Sequence, residues 1–144
     1  MRLYDYFKDG FLYKEDWNCA EHMLVGANQA YALGLDGKAL KIAGGFGGGM
    51  AIGDVCGALT GAIMVLGVLF VNERAHESDR LKRLTTELLD RYKEIMGEVD
   101  CLPLKDKYRN DEIKCRDIIL EAAKILDDIV ARELPDAAFI AKQD

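Results

Sequence analysis

Ala51–Val71 reads AIGDVCGALTGAIMVLGVLFV, and the fold turns on how this run is read. Its length approaches the roughly 20 apolar residues that cross a bilayer. Asp54 interrupts it near the start, however, and the amphipathic segments downstream need an apolar partner to cover. A helix that is apolar on every side is also what the centre of a helical bundle requires. Gly57 and Gly61, with Ala58 and Ala62 beside them, form a GxxxG through which another backbone can approach closely. The run is therefore read as a core helix capped by Asp54, with no membrane insertion.

Helical periodicity continues on both sides of it. Asn18 is placed to cap a helix running to about Leu33, in which Ala20, Met23, Leu24, Ala27, Ala30 and Tyr31 share one face and Gly34 ends the element. A short turn of helix follows over Gly37 to Ala43. Ser78 is placed to cap a long helix with Leu81, Leu84, Leu88, Tyr92 and Ile95 as its stripe and Gly97 as its stop. Asn110 is placed to cap the last, where Cys115, Ile118, Ile119, Ala122, Leu126 and Ile129 form a stripe before Pro135. The expected fold is all-α: a single helical domain over 1–144, four main helices plus a short one, with a glycine-rich loop before the apolar central helix. Tyr4, Tyr6, Phe7, Phe11, Tyr13 and Trp17 make residues 1–17 an aromatic-rich arm, expected to fold over the bundle. A homodimer contact or a lid on the site are its alternative roles. Residues 135–144 form a C-terminal tail.

Charge narrows the function classes. The net charge of −6 repels phosphate backbones, so no nucleic-acid partner is expected. Residues 1–71 hold 12 of the 44 charged residues, which leaves an apolar first half and a charged second half. The opening MRLYDYFKDGFLY carries Asp5 and Asp9 and no apolar stretch of the kind that exports a chain, so a cytoplasmic location is expected. In that reducing compartment four cysteines serve chemistry, metal or packing more often than disulfides.

Two features stand apart from ordinary composition. Nine of the 14 glycines fall in the 24 residues from Gly44 to Gly67. GGFGGGM matches neither GxxxxGK[ST] nor GxGxxG, and no strand pattern precedes it, which excludes the familiar phosphate loops. Free N–H groups around Gly47, Gly48, Gly49 and Gly57 would instead form a weak anion-holding nest at the start of the core helix. The second feature is the spacing of Cys19, Cys56, Cys101 and Cys115, separated by 36, 44 and 13 residues. Without a CxxC, a zinc ribbon or a thioredoxin-type motif is excluded. Cys19, Cys56 and Cys115 fall in or near the first turn of an expected helix, where unpaired N–H groups favour thiolate over thiol. Cys101 falls in a loop after Gly97, beside Pro103. Four inward thiols from four separate elements of a bundle can form one site, whereas core packing alone would use Cys as a small apolar residue.

Asn18-Cys19-Ala20, the run Gly44–Met50, the element Cys56-Gly57-Ala58-Leu59-Thr60-Gly61-Ala62 and the single Cys101 and Cys115 together resemble the C_GCAxxG_C_C family of redox-active proteins. The order here is CGAxxG where the family label writes GCAxxG. The resemblance implies a small soluble redox protein whose four cysteines are its common feature, often encoded near transport genes, with an unidentified redox partner. Two mechanisms follow. Four thiolates can hold an iron–sulfur cluster, with backbone N–H groups bonding the sulfurs, or pairs can cycle between dithiol and disulfide with Cys19 or Cys56 attacking. The missing CxxC tilts the choice toward cluster or metal. A structural zinc on the same four thiols, or cysteines that merely fill the core of a non-catalytic binding module or transporter accessory, are the rivals.

Other polar residues read more plainly. His22, three residues after Cys19, lies on the same helix face and is a candidate to share a metal, though a buried histidine bonded to a carbonyl is the simpler role. His76 reads as a solvated loop residue. Asp54 is a cap before it is a base for Cys56. Asp127, Asp128 and Glu133 read as a solvated face.

Overall fold

The computed structural model describes residues 1–11 and 15–141; Tyr13 of the aromatic arm and the last three residues of the tail lie outside them, and the Phe11 side chain is not described. The chain is all-α. Its helices are α1 (Leu3–Tyr6), α2 (Cys19–Ala30), α3 (Gly37–Leu40), α4 (Gly57–Phe70), α5 (Arg80–Met96), α6 (Cys101–Tyr108), α7 (Arg116–Glu133) and α8 (Ala138–Ala141). Among the described residues no strand forms; Val55 with Asp100 and Asn110 with Lys114 make isolated antiparallel bridges.

The apolar run becomes α4, which is 14 residues long and so rises about 21 Å, short of a bilayer core. None of the described helices is long and apolar enough to cross a membrane. Ala58, Leu59, Ala62, Val65 and Leu66 are fully buried, and α2, α5 and α7 pack around α4. The GxxxG does what its small residues allow. A Cβ added to Gly61 would stand 2.7 Å from Met23 Cβ and 2.9 Å from the Ala20 carbonyl oxygen, so α2 and α4 touch backbone to backbone there.

On α2 every residue of the expected stripe is buried, and Asn18 caps it in a reciprocal box: its side chain accepts from Glu21 N at 2.9 Å, and Asn18 N donates to the Glu21 carboxylate at 3.0 Å. Helix α5 buries Leu84, Leu88, Tyr92 and Met96 at a strict spacing of four. Ile95, assigned to that stripe, is 55% exposed; the fourth member of the repeat is Met96. The Asp36 side chain accepts from Ala39 N and caps α3, which ends at Leu40 and continues as a tight 3₁₀ turn to Phe46, beyond the expected Ala43.

Other boundaries differ for local reasons. Asp54 does not cap the core helix: it is exposed, and Cys56 holds the cap position two residues later. Ser78 Oγ accepts from Arg80 N at 3.3 Å, but the cap residue is Asp79. Asn110 Oδ1 accepts from Glu112 N and Ile113 N, closing a tight turn of its own, so α7 begins only at Arg116. The segment after Gly97 forms α6. Pro103 is its third residue, where the missing N–H would have had no helical partner, so the proline does not break it.

The N-terminal arm is part of the core. Leu3 and Phe7 are buried, the Phe7 ring lies where a Gly26 side chain would be, and the start of α1 is held from across the bundle by Asp127. That carboxylate accepts from Leu3 N (2.7 Å), Tyr4 N (2.8 Å) and the Tyr31 hydroxyl (2.5 Å). Asp127 is thus 5% exposed, a buried anchor and not a member of a solvated face. Asp128 pairs with Arg91, Glu133 with Arg80, and Arg132 with Glu87, which link α5 to α7.

The two glycines of α4 that face opposite surroundings make a paired test. Gly61→Ala is expected to cost about 1–3 kcal/mol by forcing α2 and α4 apart. Gly67→Ala, with nothing within 4 Å of the new Cβ, is expected to add about 0.5–1 kcal/mol of helix stability. Urea unfolding midpoints read both; equal effects of the two would show that the α2–α4 contact does not limit the fold.

Candidate functional site

All four cysteines stand at helix starts. Cys19 and Cys101 are the first residues of α2 and α6, and Cys56 and Cys115 are the cap residues of α4 and α7. They line one cavity of about 200 Å³ at the end of the bundle where these four starts meet. Cys56, Cys101 and Cys115 are buried, Cys19 is partly so, and all four are free thiols. Trp17, Leu104 and Ile118 form its apolar wall; Lys105, Arg109 and Lys114 complete it.

Backbone strain is concentrated beside this cavity. Gly48, Gly49, Met50 and Ala51 have φ of +64°, +64°, +59° and +67°, a turn of left-handed backbone, and Gly53 follows at +73°. Such a conformation costs an L-residue roughly 1–2 kcal/mol, so glycine occupies most of it. The turn is clamped to the start of α6: Asp54 N donates to Gly49 O (3.1 Å), Cys101 N to Asp54 O (2.6 Å), and Cys56 N to Val99 O (2.8 Å). A Cβ on Gly49 would lie 2.8 Å from Cys101 Cβ. The loop therefore sets Cys56 and Cys101 beside each other. Of the four glycines expected to form an anion nest, Gly48 and Gly57 line the cavity. Gly47 is packed against the Asn18 side chain and Gly49 against Asp54 and Cys101, so their role is close approach.

The thiols are not electrostatically equivalent. Cys19 and Cys115 are hydrogen-bonded to each other. Such a bond stabilises a thiolate on either sulfur; the positive charges of Arg109 and Lys105 act on Cys115, which makes Cys115 the thiolate and Cys19 the S–H donor. The bond is the largest influence lowering Cys115 below the ordinary thiol value, helped by the charges of Arg109 and Lys105 and a hydrogen bond from Arg109, against burial. Cys19 is pushed up by the same hydrogen bond and by burial. Burial also pushes Cys56 up to about 11, although the N–H groups of Ala58 and Leu59 draw it the other way.

The family described as "Putative redox-active protein (C_GCAxxG_C_C)" has a model that matches residues 17–129. The chain belongs to this family. The matched span contains all four cysteines, the glycine loop and α2 through most of α7. No curated protein and no solved structure matches the chain.

His22 stands outside the cavity. It is fully buried, its Nδ1 lies 3.0 Å from the Asn18 carbonyl oxygen, and the Trp17 ring meets it edge-on at 5.9 Å. Burial lowers its pKa, so it is a neutral core histidine. Asp54 does not line the cavity either. As for a metal or cluster, four thiols are suitable donor chemistry. Among the described residues, however, no three His, Cys, Asp or Glu side chains are grouped closely enough to hold one ion. Among the described residues the placement does not form a ligand set.

The residues that sequence reasoning missed are the cations. Lys105 lies on α6 and Arg109, four residues on, is its C-cap residue, a signal visible only once that segment is known to be helical. Lys114 is carried by the Asn110 turn at φ +51°.

Two expectations follow. Limiting iodoacetamide should alkylate Cys115 first, with a pH midpoint below the roughly 8.5 of a free thiol, and Arg109→Gln should raise that midpoint; first labelling at Cys56 would contradict the assignment. Ala51→Gly should raise stability by about 0.5–1 kcal/mol, the left-handed penalty of about 1–2 less the entropy of an added glycine, about 0.4–1. A lower urea midpoint for this variant would show that the turn is not left-handed in solution.

Proposed function

We propose that the chain is a thiol–disulfide redox protein in which Cys115 is the attacking thiolate and Cys19 the resolving thiol. The observation that carries this reading is that Cys19 and Cys115 line one cavity together with Arg109 and Lys105, the two thiols acting on each other and the cations favouring negative charge on Cys115. A pair far apart in sequence, 19 and 115, is thereby brought into the contact that a CxxC motif would supply locally.

Cys115 as thiolate attacks one sulfur of a substrate disulfide, forms a mixed disulfide and expels the first substrate thiolate, which takes a proton. Cys19 loses its proton, attacks the Cys115 sulfur and expels the second substrate thiolate, which is protonated in turn. The products are two substrate thiols and a Cys19–Cys115 disulfide, so the protein loses two electrons and the substrate gains two. A dithiol reductant returns the pair to its starting state. The helix start at Cys115 and the two cations stabilise its thiolate, which makes the pair easier to keep reduced. Cys56, raised by burial, stays a neutral thiol at neutral pH and is not the first nucleophile.

The test uses the reduced chain and 2-hydroxyethyl disulfide. Two thiols should be lost per chain, with a Cys19–Cys115 cross-link in the peptide mass map. Cys115→Ser should abolish the reaction, and Cys19→Ser should accumulate the mixed disulfide on Cys115. An unchanged rate in Cys115→Ser would overturn the reading. So would stoichiometric iron and sulfide, or zinc, on all four thiols of protein purified without oxygen.

A further inference from the structure

Among the described residues the thiol cavity carries charge of one sign only: Lys105, Arg109 and Lys114 line it and no carboxylate does, in a chain whose net charge is −6. Among the described residues none of the three forms an ion pair with a carboxylate, whereas Arg80, Arg91 and Arg132 are each tied to one. Lys114 also holds a left-handed backbone, which a lysine adopts at a cost; strain of this kind collects where a side chain has to be held for function.

Arg109 and Lys105 act on Cys115. Lys114 lines the same cavity and adds a third positive charge there. A volume of about 200 Å³ lies below the ~300–1,000 Å³ of sites for drug-sized molecules. The occupant is small.

We infer that the substrate is a small anionic disulfide, one whose S–S bond is flanked by carboxylate or sulfonate groups, recognised by Lys114 together with Lys105 and Arg109. This rests on the thiol–disulfide reading above and adds the class of molecule. The reaction keeps the same balance: the S–S bond breaks, two anionic thiols leave, and Cys19–Cys115 forms. Trp17, Leu104 and Ile118 face the apolar middle of such a molecule while the cations face its ends. The same cations stabilise charge developing on the departing sulfur.

Three disulfides of nearly equal length test this: dithiodiglycolate (anionic), 2-hydroxyethyl disulfide (neutral) and cystamine (cationic). Each second-order rate with the reduced protein is divided by its rate with free 2-mercaptoethanol under the same conditions. At low salt the normalised rates should fall in that order, by about tenfold or more between the ends, and should converge near 1 M salt. Lys114→Asn, a residue that tolerates a left-handed backbone, should lower the anionic-to-neutral ratio. Lys82→Asn, far from the cavity on α5, should leave it as it was. Equal normalised rates, or a ratio unmoved by Lys114→Asn, overturn the inference while the thiol mechanism stands. Failure of all three to oxidise Cys19 and Cys115 overturns both.

Discussion

The backbone contact between α2 and α4 is the constraint on which the rest depends. Gly57 and Gly61 let the two helices meet without side chains between them, and Gly57 does so at the level of the site. A Cβ there would stand 3.1 Å from Ala20 N and from Phe46 O, and 3.3 Å from Cys19 Cβ. The same close approach that seats the core helix therefore brings the starts of α2 and α4, and with them Cys19 and Cys56, to one point. A larger residue at either glycine would separate the helices by a side chain's width, enough to take two thiols out of reach of each other.

The other two thiols arrive by different means. Cys101 is delivered by the left-handed turn, whose hydrogen bonds hold the start of α6 against residues 49–56. Cys115 is delivered by α7, a long helix with buried Ile118, Ile119, Ala122, Leu126 and Ile129, and by the Asn110 turn that fixes where it begins. Rigid packing at one end and a strained loop at the other give a site built mostly on helix termini. Such termini are more accurately placed than free loops, and that suits a reaction between sulfurs that must meet in line.

Much of the fold was legible because its signals are local. The Asn18 box with Glu21, the α2 stripe, the Gly97 stop and the GxxxG each depend on residues within a turn or two of one another. Cys19, Cys56 and Cys115 could likewise be placed near helix starts from periodicity. What escaped was non-local or conditional. Asp127 looks solvated by its neighbours Asp128 and Arg132, and only the arrival of Leu3, Tyr4 and Tyr31 from the other end of the chain makes it an anchor. The segment after the Gly97 stop, beside Pro103, reads as a loop, but a proline in the first turn of a helix does not break it. Missing α6 concealed that Lys105 and Arg109 form a pair, and hence that an acidic chain has a basic cavity.

All four cysteines occupy helix starts, yet the structure singles out one as thiolate, and the magnitudes say why. The field of a helix terminus is worth about 0.3–1 kcal/mol, up to ~2 when partly buried. One pKa unit is about 1.36 kcal/mol, so the terminus alone moves a thiol by about one unit. Full burial acts in the opposite direction by up to about 3–5 units. Cys56 has a helix start and two nearby N–H groups and is still pushed up to about 11, because burial is the larger effect. Cys115 has the same kind of start and is also buried, but it adds an S–H donor from Cys19 and the charges of Arg109 and Lys105. Being at a helix start is therefore what the four cysteines share, and having cations and a neighbouring thiol is what separates Cys115 from the rest. The choice of thiolate is made by α6, the element whose helical character the sequence concealed.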